Sequence, residues 1–297
     1  MLSSRGMKSA YFKITLAYLA AGAAALLLGG WIGPGHPLLV VALADLAGTL
    51  VIFAFSLVYN NSSFYDPYWS LAPVLIAGYW LLSGLSVGAV GLRQGVVMAL
   101  VLVWALRLTL NWAVRWQGVG HEDWRYRDLR EVHGKGYWLV SFTGIHLMPT
   151  VLVFLGCLSL QPALAGPGRA FWALDLGAAL VTAAAIWIEA RADVEVTRFA
   201  KTKNGKTRLL QSGIWSLSRH PNYFGEITFW WGLYLFALAA DPSYGWTLIG
   251  PLAITALFVF VSIPLIEKRM LARRPGYRNY QQSTSILIPW FRKKKTG

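Results

Sequence analysis

The chain has 297 residues, of which 56% are hydrophobic and only 13% charged, and its mean hydropathy is +0.48. Soluble domains carry roughly 25% charged residues, so a soluble enzyme, a disordered chain and a small secreted scaffold are excluded. The net charge of +14, from 27 Lys/Arg against 13 Asp/Glu, raises nucleic-acid binding as a reading, and the placement of the cations decides it.

Length alone would allow two soluble domains, but several apolar runs reach the ~18–20 residues needed to cross a bilayer. Eight candidate spans follow in chain order: Tyr11–Ile32, Leu38–Tyr59, Leu71–Val90, Gly95–Ala113, Leu139–Leu160, Phe171–Ala190, Phe224–Ala240 and Trp246–Ile266. Gly33-Pro34-Gly35 follows the first, Gly166-Pro167-Gly168 precedes the sixth and Asp241-Pro242 precedes the eighth. The first is too long for a signal peptide and lacks an obvious cleavage site. Pro73 and several glycines interrupt the third, so seven to eight spans are expected. The predicted fold is all-α, a polytopic helical bundle in a membrane. The lone cysteine, Cys157, lies in an apolar run and is expected as a buried thiol.

The cations test this topology. Arg5, Lys8 and Lys13 precede the first span, five more lie in residues 115–137, seven in 191–219 and nine from Lys268 onward. With eight alternating helices these 24 of the 27 share one side, opposite Arg93 and Arg169, and Arg107 is intramembrane. The asymmetry predicts cytoplasmic N- and C-termini and explains the net charge without nucleic acid. The run Arg292-Lys293-Lys294-Lys295 is expected to hold the C-terminus at anionic headgroups.

Several polar residues stand where a membrane should exclude them. Trp104, Arg107, Asn111 and Arg115 are spaced three, four and four apart, so they share one face of the fourth span. A charge at that depth needs a partner or a cavity, so Arg107 implies either an ion pair or a polar ligand. Glu189 and Asp193, followed by Glu195 and Arg198, read either as a site or as a solvated helix end. Glu226, four residues after Asn222, sits where hydrocarbon begins, and Glu267 ends the eighth span against Lys268 and Arg269.

The densest polar segment is residues 213–226. Arg219 and His220 precede Pro221, which suits the first turn of a helix. A helix N-terminus with cations beside it binds anions such as phosphate, and Gly225 would admit either a ligand or a neighbouring helix. The basic loop Lys201–Arg208 attracts a polyphosphate or is simply solvated. Residues 60–70, Asn-Asn-Ser-Ser-Phe-Tyr-Asp-Pro-Tyr-Trp-Ser, separate two apolar spans without one basic residue. Asp66 there, with Tyr59, Tyr65 and Tyr68 close in sequence, is either part of a surface Asp-Pro turn or a carboxyl in an aromatic setting able to donate a proton.

The run Arg219-His220-Pro221-Asn222-Tyr223-Phe224-Gly225-Glu226, with Asp193 and the closing Ile286-Leu287-Ile288-Pro289-Trp290-Phe291, resembles the steroid 5α-reductase superfamily, specifically a bacterial branch of largely uncharacterised membrane reductases. The resemblance is strongest over residues 175–290 and traceable from residue 60. It implies a multi-helix membrane enzyme that binds NADPH and reduces an activated carbon–carbon double bond. It further implies that Asn222 and Glu226 contact the cofactor, that Asp193 stands before the basic loop, and that Arg107 and Arg115 lie near the cofactor phosphates. Asn111, Arg198, Arg219, His220 and Tyr223 complete the expected cofactor-binding set. Asp66 falls where steroid reductases carry a catalytic Glu, with Pro73 matching a Pro seven residues on. The Tyr that those enzymes pair with it is here Trp104, whose indole donates a hydrogen bond but transfers no proton at neutral pH. Tyr59, Tyr65 or Tyr68 would then supply a phenol. Isoprenylcysteine and phospholipid methyltransferases carry a similar Arg-His-Pro-x-Tyr-x-Gly run that helps hold S-adenosylmethionine, so the motif marks a cofactor cradle rather than a chemistry.

The reading that results is an integral, multi-pass protein of the bacterial inner membrane that transfers hydride from NADPH to a lipophilic steroid-like or isoprenoid enone. Asp66, Tyr68 and Trp104 are its expected catalytic residues, with no metal. The alternative is an S-adenosylmethionine-dependent methyltransferase. Expected partners are the lipophilic substrate and membrane lipid, without nucleic acid or an obligate protein partner. Three regions are expected: residues 1–70 with the acidic segment, 71–170 with the arginine-bearing span, and 171–297 as the cofactor-binding half.

Overall fold

A computed structural model of the protein describes residues 4–33, 35–88, 91–166, 168–202 and 208–292. Pro34, Val90, Pro167, residues 203–207 of the basic loop and the lysines 293–295 lie outside the described residues. The helices, in chain order, are α1 (Ser4–Ile32), α2 (Pro37–Val58), α3 (Tyr68–Ser86), α4 (Leu92–Arg115), α5 (Trp124–His133), α6 (Tyr137–Val140), α7 (Met148–Cys157), α8 (Leu160–Leu164), α9 (Ala173–Ala200), α10 (Pro221–Ala240), α11 (Ile249–Leu257), α12 (Ile263–Arg273) and α13 (Tyr277–Ser283). Two π-helical stretches, Ser141–Leu147 and Phe258–Ser262, join α6 to α7 and α11 to α12. Among the described residues there is no strand, only one isolated bridge between Ser218 and Ser285.

Seven helical segments are long and apolar enough to cross a membrane: Gly6–Ile32, Pro37–Val58, Ser62–Ser86, Leu92–Arg115, Trp124–Cys157, Ala173–Ala200 and Pro242–Arg273. At ~1.5 Å per residue a helix of about 20 residues matches a hydrocarbon core of about 30 Å. Phe12, Leu19, Leu26 and Trp31 of α1 are exposed, as lipid-facing side chains should be. The protein is therefore an all-helical, multi-pass integral membrane protein. The seventh predicted span, Phe224–Ala240, is the exception to the eight. It forms α10, but Glu226, with Trp, Tyr and Gly, dilutes its hydropathy, and its Phe229, Leu233 and Phe236 are enclosed by protein.

The chain divides into two compact units, one of residues 1–79 and 104–157, the other of residues 80–103 and 158–297. In the first, Ala10, Ile14, Ala17 and Ala21 recur at helical spacing on α1 and pack with Ile52, Phe64, Tyr65 and Tyr68. α2 stops in a Schellman motif: Asn60 adopts a left-handed φ of 50°, and the Asn61 and Asn60 amides donate to the Ser56 and Leu57 carbonyls.

In the second unit, α9 and α10 lie against each other through small residues. A methyl group on Gly225 would stand 2.8 Å from the Ala185 carbonyl oxygen, and one on Gly232 would stand 2.1 Å from Thr182 Oγ1. Gly225 thus admits a helix, the second of the two uses its sequence left open. Arg93 forks onto Asp175 at 2.6 and 2.9 Å, with both side chains buried. Asp175 also accepts from the Trp172 amide at 3.0 Å, capping the start of α9.

Candidate functional site

In the first unit the acidic segment does not form a free surface turn. Asn61 Oδ1 accepts from the Ser63 amide at 2.8 Å, starting the 3-10 turn Ser62–Tyr65, while its Nδ2 donates to the Val119 and His121 carbonyls. Glu122 Oε1 accepts from the Ser62 amide at 2.8 Å, from Tyr137 OH at 3.2 Å and from Arg130 at 3.1 Å. Ser62 Oγ is bonded in turn to Tyr137 OH and Ser141 Oγ. These bonds fasten residues 60–66 to the segment from Val119 to Tyr137.

That fastening brings a phenol to Asp66. Tyr126 OH, on α5, donates to Asp66 Oδ1 at 2.8 Å, and the aspartate is half-buried. None of the three tyrosines considered from the sequence makes this bond. Tyr65 OH is bonded to Thr150 Oγ1, Tyr68 OH donates to Asp45, and Tyr59 stacks on Phe64. Tyr126, Glu122 and Asp45 escaped sequence reading. Tyr126 and Glu122 lie in a stretch that read as a cationic loop, 60 residues from their partners. Asp45 sits alone within an apolar span, where an acid needs a partner, and that signal was there to be used.

On α4, Trp104 is buried, Arg107 and Asn111 half-buried and Arg115 exposed, so the predicted face runs from the interior toward solvent. In the second unit Asp193 is half-buried and Arg198 exposed, both on α9. Glu195 accepts from Arg191 at 2.8 Å and from the Ile214 amide at 3.0 Å, so it organises the turn Gly213–Ser216.

The Arg-His-Pro segment shows the largest difference from its sequence reading. Pro221 is the first residue of α10, as its fixed φ and missing N–H favour. Arg219, however, is buried and spends its guanidinium within the protein. Nε and Nη2 fork onto Glu267 at 3.0 and 3.1 Å, and Nη1 donates to the Gln281 and Thr284 carbonyls at 2.9 and 2.6 Å. His220 Nε2 is 2.8 Å from Glu267 Oε1, and Tyr277 OH and Gln281 Nε2 donate to the same carboxylate. Tyr280 OH donates to the Trp215 and Ser218 carbonyls, and Ser218 Oγ donates to the Leu287 carbonyl. Burial, reinforced by Glu267, pushes the Tyr277 phenol above its ordinary pKa, and burial does the same for Tyr280. Beyond this clamp, Asn222 and Tyr223 are half-buried in the first turn of α10. Glu226 is buried and accepts from Trp230 Nε1 at 2.9 Å.

The fold and these residues define a helical membrane protein with an acid–phenol pair in one unit and a C-terminally clamped helix start in the other. The chain belongs to the family described as "Protein of unknown function (DUF1295)", which matches residues 52–284 and is associated with steroid 5-alpha-reductase-like proteins. It is 28% identical over 262 residues to an uncharacterized protein of Schizosaccharomyces pombe, covering 80% of this chain and 76% of that one. A shorter stretch of 62 residues is 34% identical to the steroid 5-alpha-reductase DET2 of Gossypium hirsutum, covering 21% of this chain and 24% of that protein. No solved structure matches the chain.

Proposed function

We propose that the protein is a membrane reductase that uses NADPH to saturate an activated carbon–carbon double bond in a lipophilic, steroid-like or isoprenoid substrate. The observation that carries this reading is the Asp66–Tyr126 pair, in a chain part of which resembles a steroid 5-alpha-reductase. When bound, NADPH supplies the hydride. The chain's own part is to hold the Asp66 carboxyl by the Tyr126 hydrogen bond to Oδ1, leaving Oδ2 to carry a proton. Presented to a substrate carbonyl, that proton draws electron density from the conjugated double bond and makes its far carbon an acceptor. Trp104 takes no part in proton transfer. Tyr68, engaged with Asp45, has a role outside this step.

Taken within each unit, the residues present suit a dinucleotide, with two exceptions. Asn222 and Tyr223 offer an amide and a phenol that are partly accessible, and Arg107, Asn111 and Arg115 offer cations and an amide of increasing exposure along α4. In the second unit, Asp193, Arg198 and Glu226 stand with Asn222 and Tyr223 as proposed cofactor contacts. Arg219 does not fit, because Glu267 and two carbonyls already hold its guanidinium, and His220 shares that clamp. We assign both to fixing the start of α10, and thereby Asn222. We also place both termini on the cytoplasmic side, where most cations lie, which counts the protein-enclosed α10 as an eighth crossing.

The test is NADPH consumption by the purified full chain supplied with a steroid 4-en-3-one or an isoprenoid enone. Substrate-dependent oxidation that Asp66→Asn and Tyr126→Phe both abolish is expected. Turnover at the wild-type rate in Asp66→Asn would contradict the mechanism.

A further inference from the structure

A second acid–phenol pair lies within the α2 span and is separate from the reading above. Asp45 is the ninth residue of α2, about 12 Å along the helix from its first. The residue is 6% exposed. Tyr68 OH donates to Asp45 Oδ1 at 2.8 Å and to its carbonyl oxygen at 2.7 Å. Gly48 permits this approach, since a methyl group there would stand 2.6 Å from the phenol oxygen. Asp45 Oδ2 is buried and has no hydrogen-bond partner among the described residues. The nearby hydroxyls are engaged elsewhere: Thr49 and Thr150 bond to each other at 2.8 Å, and Thr150 also bonds Tyr65 OH.

Buried carboxyl oxygens are rarely left unbonded, and a specific exception calls for an occupant. The depth of Asp45 in an apolar span means that an occupant from outside arrives through the bilayer, so it is lipophilic. The residues around Tyr68 are aromatic, with Tyr65 and Tyr68 stacked at 5.1 Å and Tyr18 6.3 Å from Tyr68. A hydroxyl both donates and accepts, so it satisfies Oδ2 whether or not that oxygen carries a proton. A ketone serves only the protonated acid, and a hydrocarbon serves neither. We propose that Asp45 Oδ2 receives the hydroxyl group of a lipophilic alcohol, isoprenoid or sterol in type, with Tyr68 holding the carboxyl in place. This site does not depend on NADPH or on reductase activity.

Farnesol and its hydrocarbon counterpart farnesene, titrated into the detergent-purified full chain without nucleotide, test the proposal through the thermal unfolding midpoint. Farnesol should raise the midpoint of the wild type and farnesene should not. Asp45→Leu should weaken the response to farnesol by roughly tenfold or more, the scale of one lost hydrogen bond to a polar acceptor. Should Asp45→Leu not fold, a diazirine analogue of farnesol on the wild type replaces it. Its adducts should map to α2 or to Tyr65–Tyr68 and be displaced by farnesol but not by farnesene. Equal responses to alcohol and hydrocarbon, or an undiminished farnesol response in Asp45→Leu, would overturn the proposal and leave buried water as the occupant. Adducts elsewhere would overturn it as well.

Discussion

Arg219 and Glu267 meet fork to fork, Nε to Oε1 at 3.0 Å and Nη2 to Oε2 at 3.1 Å, across 48 residues of chain. This contact ties the chain entering α10 to α12, and Tyr277 and Gln281 of α13 complete the shell around the carboxylate. Removing one member of a buried pair strands the other charge, which costs about 3–5 kcal/mol. Arg219→Ala should therefore lower the thermal midpoint of the ligand-free protein sharply. Arg219→Lys should recover only part of the loss, because a lysine cannot reproduce the fork. An unchanged ligand-free midpoint together with lost nucleotide binding would return Arg219 to the cofactor.

Asp66 and Tyr126 should separate chemistry from folding. Losing one polarising donor typically slows turnover by about a hundredfold or more, whereas losing one hydrogen bond costs only about 1 kcal/mol of stability. Tyr126→Phe and Asp66→Asn should keep the fold and nucleotide binding while turnover collapses. Steady-state rates beside thermal unfolding of the same preparations check this.

Gly225 and Gly232 set how closely α9 and α10 approach. Alanine normally favours a helix over glycine by up to about 1 kcal/mol. Here the added methyl at Gly225 would meet the Ala185 carbonyl oxygen at 2.8 Å and Glu189 Cβ at the same distance. Overpacking costs about 1–3 kcal/mol, so Gly225→Ala should destabilise despite the gain in helix propensity. Thermal unfolding of Gly225→Ala beside Gly177→Ala, where no atom lies within 4 Å, separates the two effects.

The clamp also predicts an alkaline limit. Tyr277 is raised in the folded protein above the unfolded phenol value of about 10. The folded state thus binds more protons than the unfolded one above that pH, and stability falls as pH rises through it. The contribution is fully present below about pH 10. Tyr277→Phe should flatten the alkaline slope of the unfolding midpoint while lowering the midpoint at neutral pH.

Much of the fold was legible because lipid imposes simple rules. A span such as Pro37–Val58 has to be long, apolar and helical, and Pro221 opens α10 as its fixed φ and missing N–H dictate. α10 was legible as an apolar helix beginning at Pro221, but not its enclosure by protein, because periodicity does not distinguish a helix that faces lipid from one wrapped by protein, and its Trp and Tyr serve either surface. The site was legible in its residue types but not in its pairings. Asp66 stands out among aromatic residues, yet its partner Tyr126 is 60 residues away and no local pattern links them. Arg219 and His220 look like an anion cradle from sequence, and only Glu267 folded against them shows where their hydrogen bonds go.

The most direct measurement is a thermal-shift titration of the purified full chain with NADPH, NADH and S-adenosylmethionine. A ligand at about a hundred times its dissociation constant stabilises the fold by about 2.7 kcal/mol, which such a titration resolves. The reductase reading requires a shift with NADPH that persists in Asp66→Asn. A shift with S-adenosylmethionine alone would contradict it and leave the Asp66–Tyr126 pair without its proposed task.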